Sequence, residues 1–428
     1  MSSAEALASF HRSVAEALET RYAHVVRPPD GWRETIVWHW EQAEGFDQAS
    51  HHALIVVEER ITQLDFAEAR RWVERALTTI GRLSAEGQFG YELRACTLAL
   101  SVLEFAGQYR EGLEYAKRML RAARQQRSVE AEARAHLAIG RMQRELSQLT
   151  QAEASLLTAR DLAERDELNE LETEVRVHLA KVHHLQGRHL EALQELQLAR
   201  EYGEQQDDRV RLARVFTGIG DVYRVLGSSE PAQSFYTRAL SLEQGNGNLL
   251  GQAILKDRLA LTALDQNRMN EALAAAEESL MLRERLRDQV GQARSFTVLG
   301  TILGRMGRYE RAFTYLQQAR DLQEQIQNPR GQGIALLNLG DVARMIGRRE
   351  SAYTNYQQAL ELARQDDDLV GLARALERIG DLNFEDGRRD QANISWGQAL
   401  RLREQLGHAD EASSLRSRIQ HGPTKARQ

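Results

Sequence analysis

The side chains able to do metal or nucleophilic chemistry are few and poorly spaced. His178, His183, His184 and His189 lie close together, but ligands on one helix should be three or four residues apart, and these stand five, six and eleven after the first. No cysteine or paired carboxylate completes a four-ligand set around them, and His51-His52 lacks one equally. The single thiol, Cys96, sits in the apolar stretch Leu93-Arg-Ala-Cys-Thr-Leu-Ala-Leu100, which points to a buried, inert group. Gly245-Asn-Gly-Asn-Leu-Leu-Gly251 has the outline of a phosphate loop, yet its third glycine is one place late and no strand precedes it. Neither Gly-x-x-x-x-Gly-Lys-Ser/Thr nor Gly-x-Ser-x-Gly occurs, so there is no P-loop and no nucleophile elbow. The expectation is no catalytic residue, no metal and no cofactor. What remains is charge displayed on helices.

Composition narrows the partners for that charge. The 56 Lys and Arg are outnumbered by 62 Asp and Glu, a net charge of −6. That balance argues against a sequence-independent hold on nucleic acid, which needs cations in excess to displace counterions. No run of eighteen apolar residues and no basic-then-apolar leader occurs, so neither membrane insertion nor secretion is expected and the cytoplasm is the default location. A lone cysteine fits a reducing compartment.

Only 5 prolines in 428 residues point to helices nearly throughout, because all-β chains spend proline on many turns. Those helices fall into a frame of forty residues. Gly107, Gly187, Gly227, Gly307, Gly347 and Gly387 share one column, with Ser147 and Asn267 in the two vacant places. Five residues on come Gly112, Ala152, Ala192, Ala232, Ala272, Ala312, Ala352 and Ala392. Seven before the turn stand Gly140, Ala180, Gly220, Ala260, Gly300, Gly340 and Gly380. Each unit reads as two amphipathic helices: Ala293, Phe296, Leu299, Leu303 and Met306 keep three-and-four spacing, as do Ala312, Leu316, Ala319 and Leu322. The small residues mark the helix crossing, and the turn glycine supplies a left-handed C-cap. Asp and Asn clusters, such as Gln206-Asp-Asp and Asn328-Pro, separate the units.

The pattern Leu-Gly-x-x-aliphatic-x-x-x-Gly-x-x-x-x-Ala-x-x-x-aromatic-x-x-Ala-Leu, cleanest from Leu339-Gly340 to Ala359-Leu360, resembles the tetratricopeptide repeat. The forty-residue version is similar to repeats of kinesin light chains, spindle-orientation adaptors and the sensor halves of bacterial signal-transduction ATPases. Phe10-His-Arg-Ser-Val-Ala-Glu-Ala-Leu18 resembles the helix that follows the ATPase and winged-helix parts of maltose-activator-type regulators, although the ATPase itself is missing. The resemblance implies an all-α, right-handed superhelical solenoid of about ten helix-turn-helix repeats. Its parts are an N-terminal helix (1–28), divergent repeats (29–90), eight regular repeats (91–408), and a capping helix with a tail (409–428).

The family's groove positions, carried onto this chain, fall in two columns on the first helix of each unit. One contains Arg94, Arg134, Glu174, Arg214, Arg294 and Arg374. The other contains Ser101, Arg141, Lys181, Asp221, Thr301, Asp341 and Asp381. Basic residues come early and acidic ones late, which suits an extended segment of mixed charge. Asn338 stands where kinesin-light-chain repeats hold a bound backbone, but its equivalents in the other units are not asparagine. The resemblance therefore implies a non-catalytic sensor or interaction module that takes a protein segment or peptide, with an ATPase or effector domain as a possible further partner. The alternatives are a static assembly scaffold and a peptide-responsive regulator acting through the convex face or the termini. Charge reversal of Arg134 and Arg141 is the mutation this reading singles out.

Overall fold

In a computed structural model the chain is helical almost throughout, and the structure describes residues 3–25, 29–326 and 328–422. Pro28 and the polar tail from Pro423 lie outside them. The series opens with α1 (Ser3–Tyr22), α2 (Trp32–Gln42), α3 (Phe46–Thr62), α4 (Phe66–Ile80), α5 (Ala85–Phe105) and α6 (Tyr109–Gln126). From α7 (Val129–Glu145) and α8 (Leu149–Arg165) through α9 (Asn169–Leu185), a helix of 17 residues begins every twentieth residue. The same beat runs through α10 (His189–Gln205), α11 (Arg209–Val225), α12 (Ser229–Gly245), α13 (Leu249–Asp265), α14 (Met269–Arg285) and α15 (Gln289–Arg305). It ends with α16 (Tyr309–Gln325), α17 (Pro329–Met345), α18 (Arg349–Gln365), α19 (Leu369–Glu385) and α20 (Arg389–Gln405), followed by the shorter α21 (Ala409–His421).

Three-residue connectors impose that beat. Among the described residues the middle one takes a left-handed conformation, whether it is glycine, as at Gly187 and Gly347, or not, as at Ser147 and Asn267. At several connectors between units the helix that follows is also capped by a side chain: Asp208 accepts from the Arg211 backbone N–H at 2.8 Å and Asp288 from that of Gly291 at 2.8 Å. Asn248 and Asn328 do the same for Gly251 and Gly331. The acidic and amide clusters legible in the sequence are therefore helix starts.

Pairing follows the small-residue column. A Cβ on Gly220 would lie 2.6 Å from the Tyr236 ring, and Gly340 and Gly380 face Tyr356 and Trp396 in the same way. Where the crossing residue is alanine, as at Ala180 and Ala260, the partner is the smaller Leu196 or Ala276. Tyr236, Tyr356 and Trp396 are completely buried, and burial of side chains this large stabilises each pair by several kcal/mol, about 25 cal/mol per Å².

The helices pack as two compact units, Met1–Met142 with Thr158–Leu168, and Gln143–Leu157 with Asn169–Gln428. In the first unit α1 docks on α2: Trp40 Nε1 donates to Glu19 at 2.6 Å, and the Tyr22 and Trp32 rings lie 5.4 Å apart. Trp40 is buried in this opening pair, whereas Trp38 is exposed, with the His11 ring against it. The second unit is layered around Leu316, Leu339, Tyr356 and Trp396 toward its C-terminal end and around Leu196, Phe216 and Tyr236 earlier. Among the described residues no helix is long and apolar enough to cross a membrane.

Candidate functional site

The carboxylates of the groove columns are already engaged. Asp221 accepts from the Tyr236 hydroxyl at 2.7 Å and pairs with Arg258 Nε at 2.8 Å. Asp341 does the same with Tyr356 at 2.8 Å and Arg378 at 2.9 Å, and Asp381 with Trp396 Nε1 at 3.1 Å and Arg418 at 3.0 Å. One geometry thus recurs three times: a carboxylate after the crossing glycine, an aromatic donor fifteen residues on, and an arginine of the next pair at thirty-seven. Burial and the adjacent carboxylate push the Tyr236 and Tyr356 phenols well above their usual range, so they serve as permanent donors. Burial also raises Asp381 against the pull of Arg418. The sequence carries the triad as three copies at identical offsets, but nothing local says that its three members touch.

The early arginines are engaged as well. Arg94 forks onto both oxygens of Glu58 at 2.8 Å, Arg134 pairs with Glu130 one helical turn away, and Arg141 reaches Glu104. All three pairs lie within the first unit. Thr301 Oγ1 and Asn338 Nδ2 donate to the carbonyls of Thr297 and Ile334 within their own helices.

Lys181, Arg214 and Arg374 behave differently, making no hydrogen bond or ion pair to the described residues. Lys181, half-buried on α9, has Arg144 and Glu145 of α7 and Arg214 and Asp221 of α11 near it. Burial pushes its ammonium down to about 8, helped by the charges of Arg144 and Arg214 and opposed by Asp221 and Glu145. Burial likewise lowers Arg374, which has Arg403 and Arg330 beside it.

The second unit also brings helices distant in sequence together. Arg330, at the start of α17, donates to the backbone carbonyl of Glu145 at the end of α7, 185 residues earlier. Burial favours a neutral Glu145 carboxyl, but Arg144, with Arg330 and Arg294 behind it, holds the group below the usual carboxylate range. His408, which caps α21, lies near the backbone of Leu185. Glu145 and Arg330 belong to neither groove column, and only tertiary winding reveals them.

The other candidates do not converge. His178 bonds Arg144 at 2.9 Å, His183 faces Glu153 at 3.3 Å, and His184 stacks obliquely on His189. Burial pushes His184 down to about 4, so it is neutral at physiological pH. Among the described residues no three His, Cys, Asp or Glu side chains could hold a metal ion. Cys96 is fully buried, and burial pushes its thiol up to about 12. A cleft of about 480 Å³ opens in the first unit between Glu19, Trp32, Asp47 and Tyr91. Its Glu19 is committed to Trp40 and His52.

Paired antiparallel helices with left-handed connectors, small crossing residues and a charged inner column define a helical-repeat interaction protein of the tetratricopeptide kind. The tetratricopeptide repeat model matches residues 171–244, 251–325 and 332–415, more than half of the sequence, and the chain belongs to that family. No curated protein matches it by sequence. Among solved structures, the apo quorum sensor NprR of B. thuringiensis is similar at 15% identity and a TM-score of 0.54, over 82% of this chain and 98% of its own. The Rap conjugation regulator of plasmid pLS20, in complex with the Phr* peptide, is similar at 13% identity and a TM-score of 0.54, over 85% and 97%. A signal-transduction ATPase with a tetratricopeptide repeat sensor from Pyrococcus horikoshii matches at 15% identity and a TM-score of 0.49, over 80% and 54%.

Proposed function

We propose that the chain is a non-catalytic sensor or adaptor module, working in bacterial signalling or regulation in the cytoplasm, whose second unit holds a protein segment or peptide against its inner helices. The observation that carries this is the set of cations Lys181, half-buried, and Arg214 and Arg374, solvent-exposed, which make no hydrogen bond or ion pair to the described residues. A cation that the fold leaves without an ion pair finds its use when a partner supplies the counter-charge. The pLS20 regulator, which shares this fold, is a protein with peptide bound, and the same mode is carried over here as part of the proposal. Repeats contact their neighbours, so the winding of such an array is adjustable. An occupant touching α7 and α17 together would compete with the Glu145–Arg330 contact and report occupancy as a change of pitch to an attached ATPase or effector.

Photo-crosslinking tests the reading. A benzoylphenylalanine at Thr301 or Asn338, on first helices, is expected to capture partner from host extract. The same probe at Met281 or Ile394, which are about 60% exposed on second helices, is expected to capture none. Capture confined to Met281 and Ile394 would replace the sensor by the scaffold reading.

A further inference from the structure

The charge left over inside the second unit identifies the occupant more closely, in an inference that rests on the groove reading above. Asp221, Asp341 and Asp381, which from sequence alone would welcome a basic stretch, have each accepted an aromatic N–H or O–H and an arginine. Their arginines, Arg258, Arg378 and Arg418, are spent in the same contacts. Glu145 is held by Arg144 and flanked by Arg330 and Arg294. Lys181, half-buried, and Arg214 and Arg374, solvent-exposed, make no ion pair to the described residues, against Glu174 as the carboxylate of the same columns that makes none. The unpaired charge of these columns in the second unit is therefore mainly positive although the whole chain carries −6.

We infer that the occupant of the second unit is an acidic peptide segment, with a side-chain carboxylate seated between Lys181 of α9 and Arg214 of α11. The two cations stand on α9 and α11, first helices of successive pairs that pack against each other, and Lys181 feels the charge of Arg214. A carboxylate has two oxygens and can accept from both, replacing a like-charge contact by two charge-assisted hydrogen bonds. Arg374 provides a second station for an acidic side chain further along the same segment. A nucleic acid fits less well, because its uninterrupted phosphates need cations in excess along their whole path, whereas among the described residues only three unpaired cations stand on these columns and Glu174 interrupts them.

Displayed random 12-residue peptides selected on the full chain provide the test. Winners are expected to hold two or more Asp or Glu. Their affinity, read by fluorescence anisotropy, should fall about tenfold or more on Lys181→Met or Arg214→Gln, the loss of one charge-assisted bond. It should fall similarly when the peptides' acids become amides, and stay unchanged on Arg401→Gln, an exposed arginine of α20. Neutral or basic winners, no winners, or affinities indifferent to Lys181 and Arg214 with the helical circular dichroism intact would overturn the inference. So would equal competition by a 12-nucleotide poly(U), which would mark a generic polyanion site. Neutral winners that still crosslink to Thr301 and Asn338 defeat only the acidic assignment. An absence of crosslinks at both positions defeats the groove reading too.

Discussion

Lys181→Met should make the protein more stable while weakening its hold on a partner. The side chain keeps its length, but the ammonium that the fold desolvates is gone. A fall from the ordinary 10.5 to about 8 converts, at about 1.4 kcal/mol per pH unit, to about 3 kcal/mol of destabilisation carried by the native state. Because Lys181 keeps some accessible surface, solvent screening reduces this to about 1–2 kcal/mol. The sign with pH follows from proton counts. Below pH 8 lysine is charged in both folded and unfolded chains, so the whole penalty is present. Between 8 and 10.5 the unfolded chain binds more protons, wild-type stability from this group rises, and the penalty disappears. The advantage of Lys181→Met is thus largest at pH 7 and shrinks toward pH 10. Urea unfolding of both proteins at pH 7 and pH 9.5, with hydrogen exchange of α9 to localise the effect, reads the difference directly. Lys181→Arg serves as control, since a guanidinium cannot escape by losing its proton. A methionine variant less stable than wild type at pH 7, or a difference independent of pH, would refute the picture of a desolvated, unpaired cation.

Other substitutions probe the scaffold. Arg283, 2% exposed, joins Asp257 at 2.8 Å and Asp288 at 3.0 Å across α13, α14 and the start of α15. Arg283→Met leaves two buried carboxylates unpaired and should cost about 3–5 kcal/mol in denaturant unfolding, whereas a cost under 1 kcal/mol would mean that water replaces the guanidinium. Gly340→Ala drives a methyl into the Tyr356 ring and should cost about 1–3 kcal/mol. Part of that should return on adding Tyr356→Leu, since Ala180 with Leu196 is the same pairing in native form; no recovery would locate the strain elsewhere. Cys96 should resist iodoacetamide in the native protein at pH 8 and react only after unfolding, and rapid native labelling would contradict its burial.

Much of the architecture was legible because repetition averages out local ambiguity. A single Gly-x-x-x-x-Ala is weak evidence, but columns such as Gly187–Ala192 and Gly347–Ala352 held in one frame leave little freedom, and the helices start where that frame places them. Within the divergent stretch 29–90 no repeat column says whether α3 pairs with α2 or with α4. The closest packing of α3 is with α4, which only the buried contacts of Val57, Trp72 and Val73 decide. The candidate site was legible by position and not by charge. The sequence places Arg141, Lys181, Asp221 and Asp341 alike on inner columns, but whether a charge is available depends on neighbours forty residues away.

By itself, the sequence determines the helical class, the forty-residue period, the connectors and the family, since these rest on local backbone preference and on contacts between adjacent helices. Tertiary structure alone decides which charges are spent. Arg378 reaches Asp341 only when successive pairs stack, and Arg330 reaches Glu145 only after the second unit has wound through more than four repeats. Both depend on small rotations between pairs that accumulate along the array, and no single repeat encodes their sum.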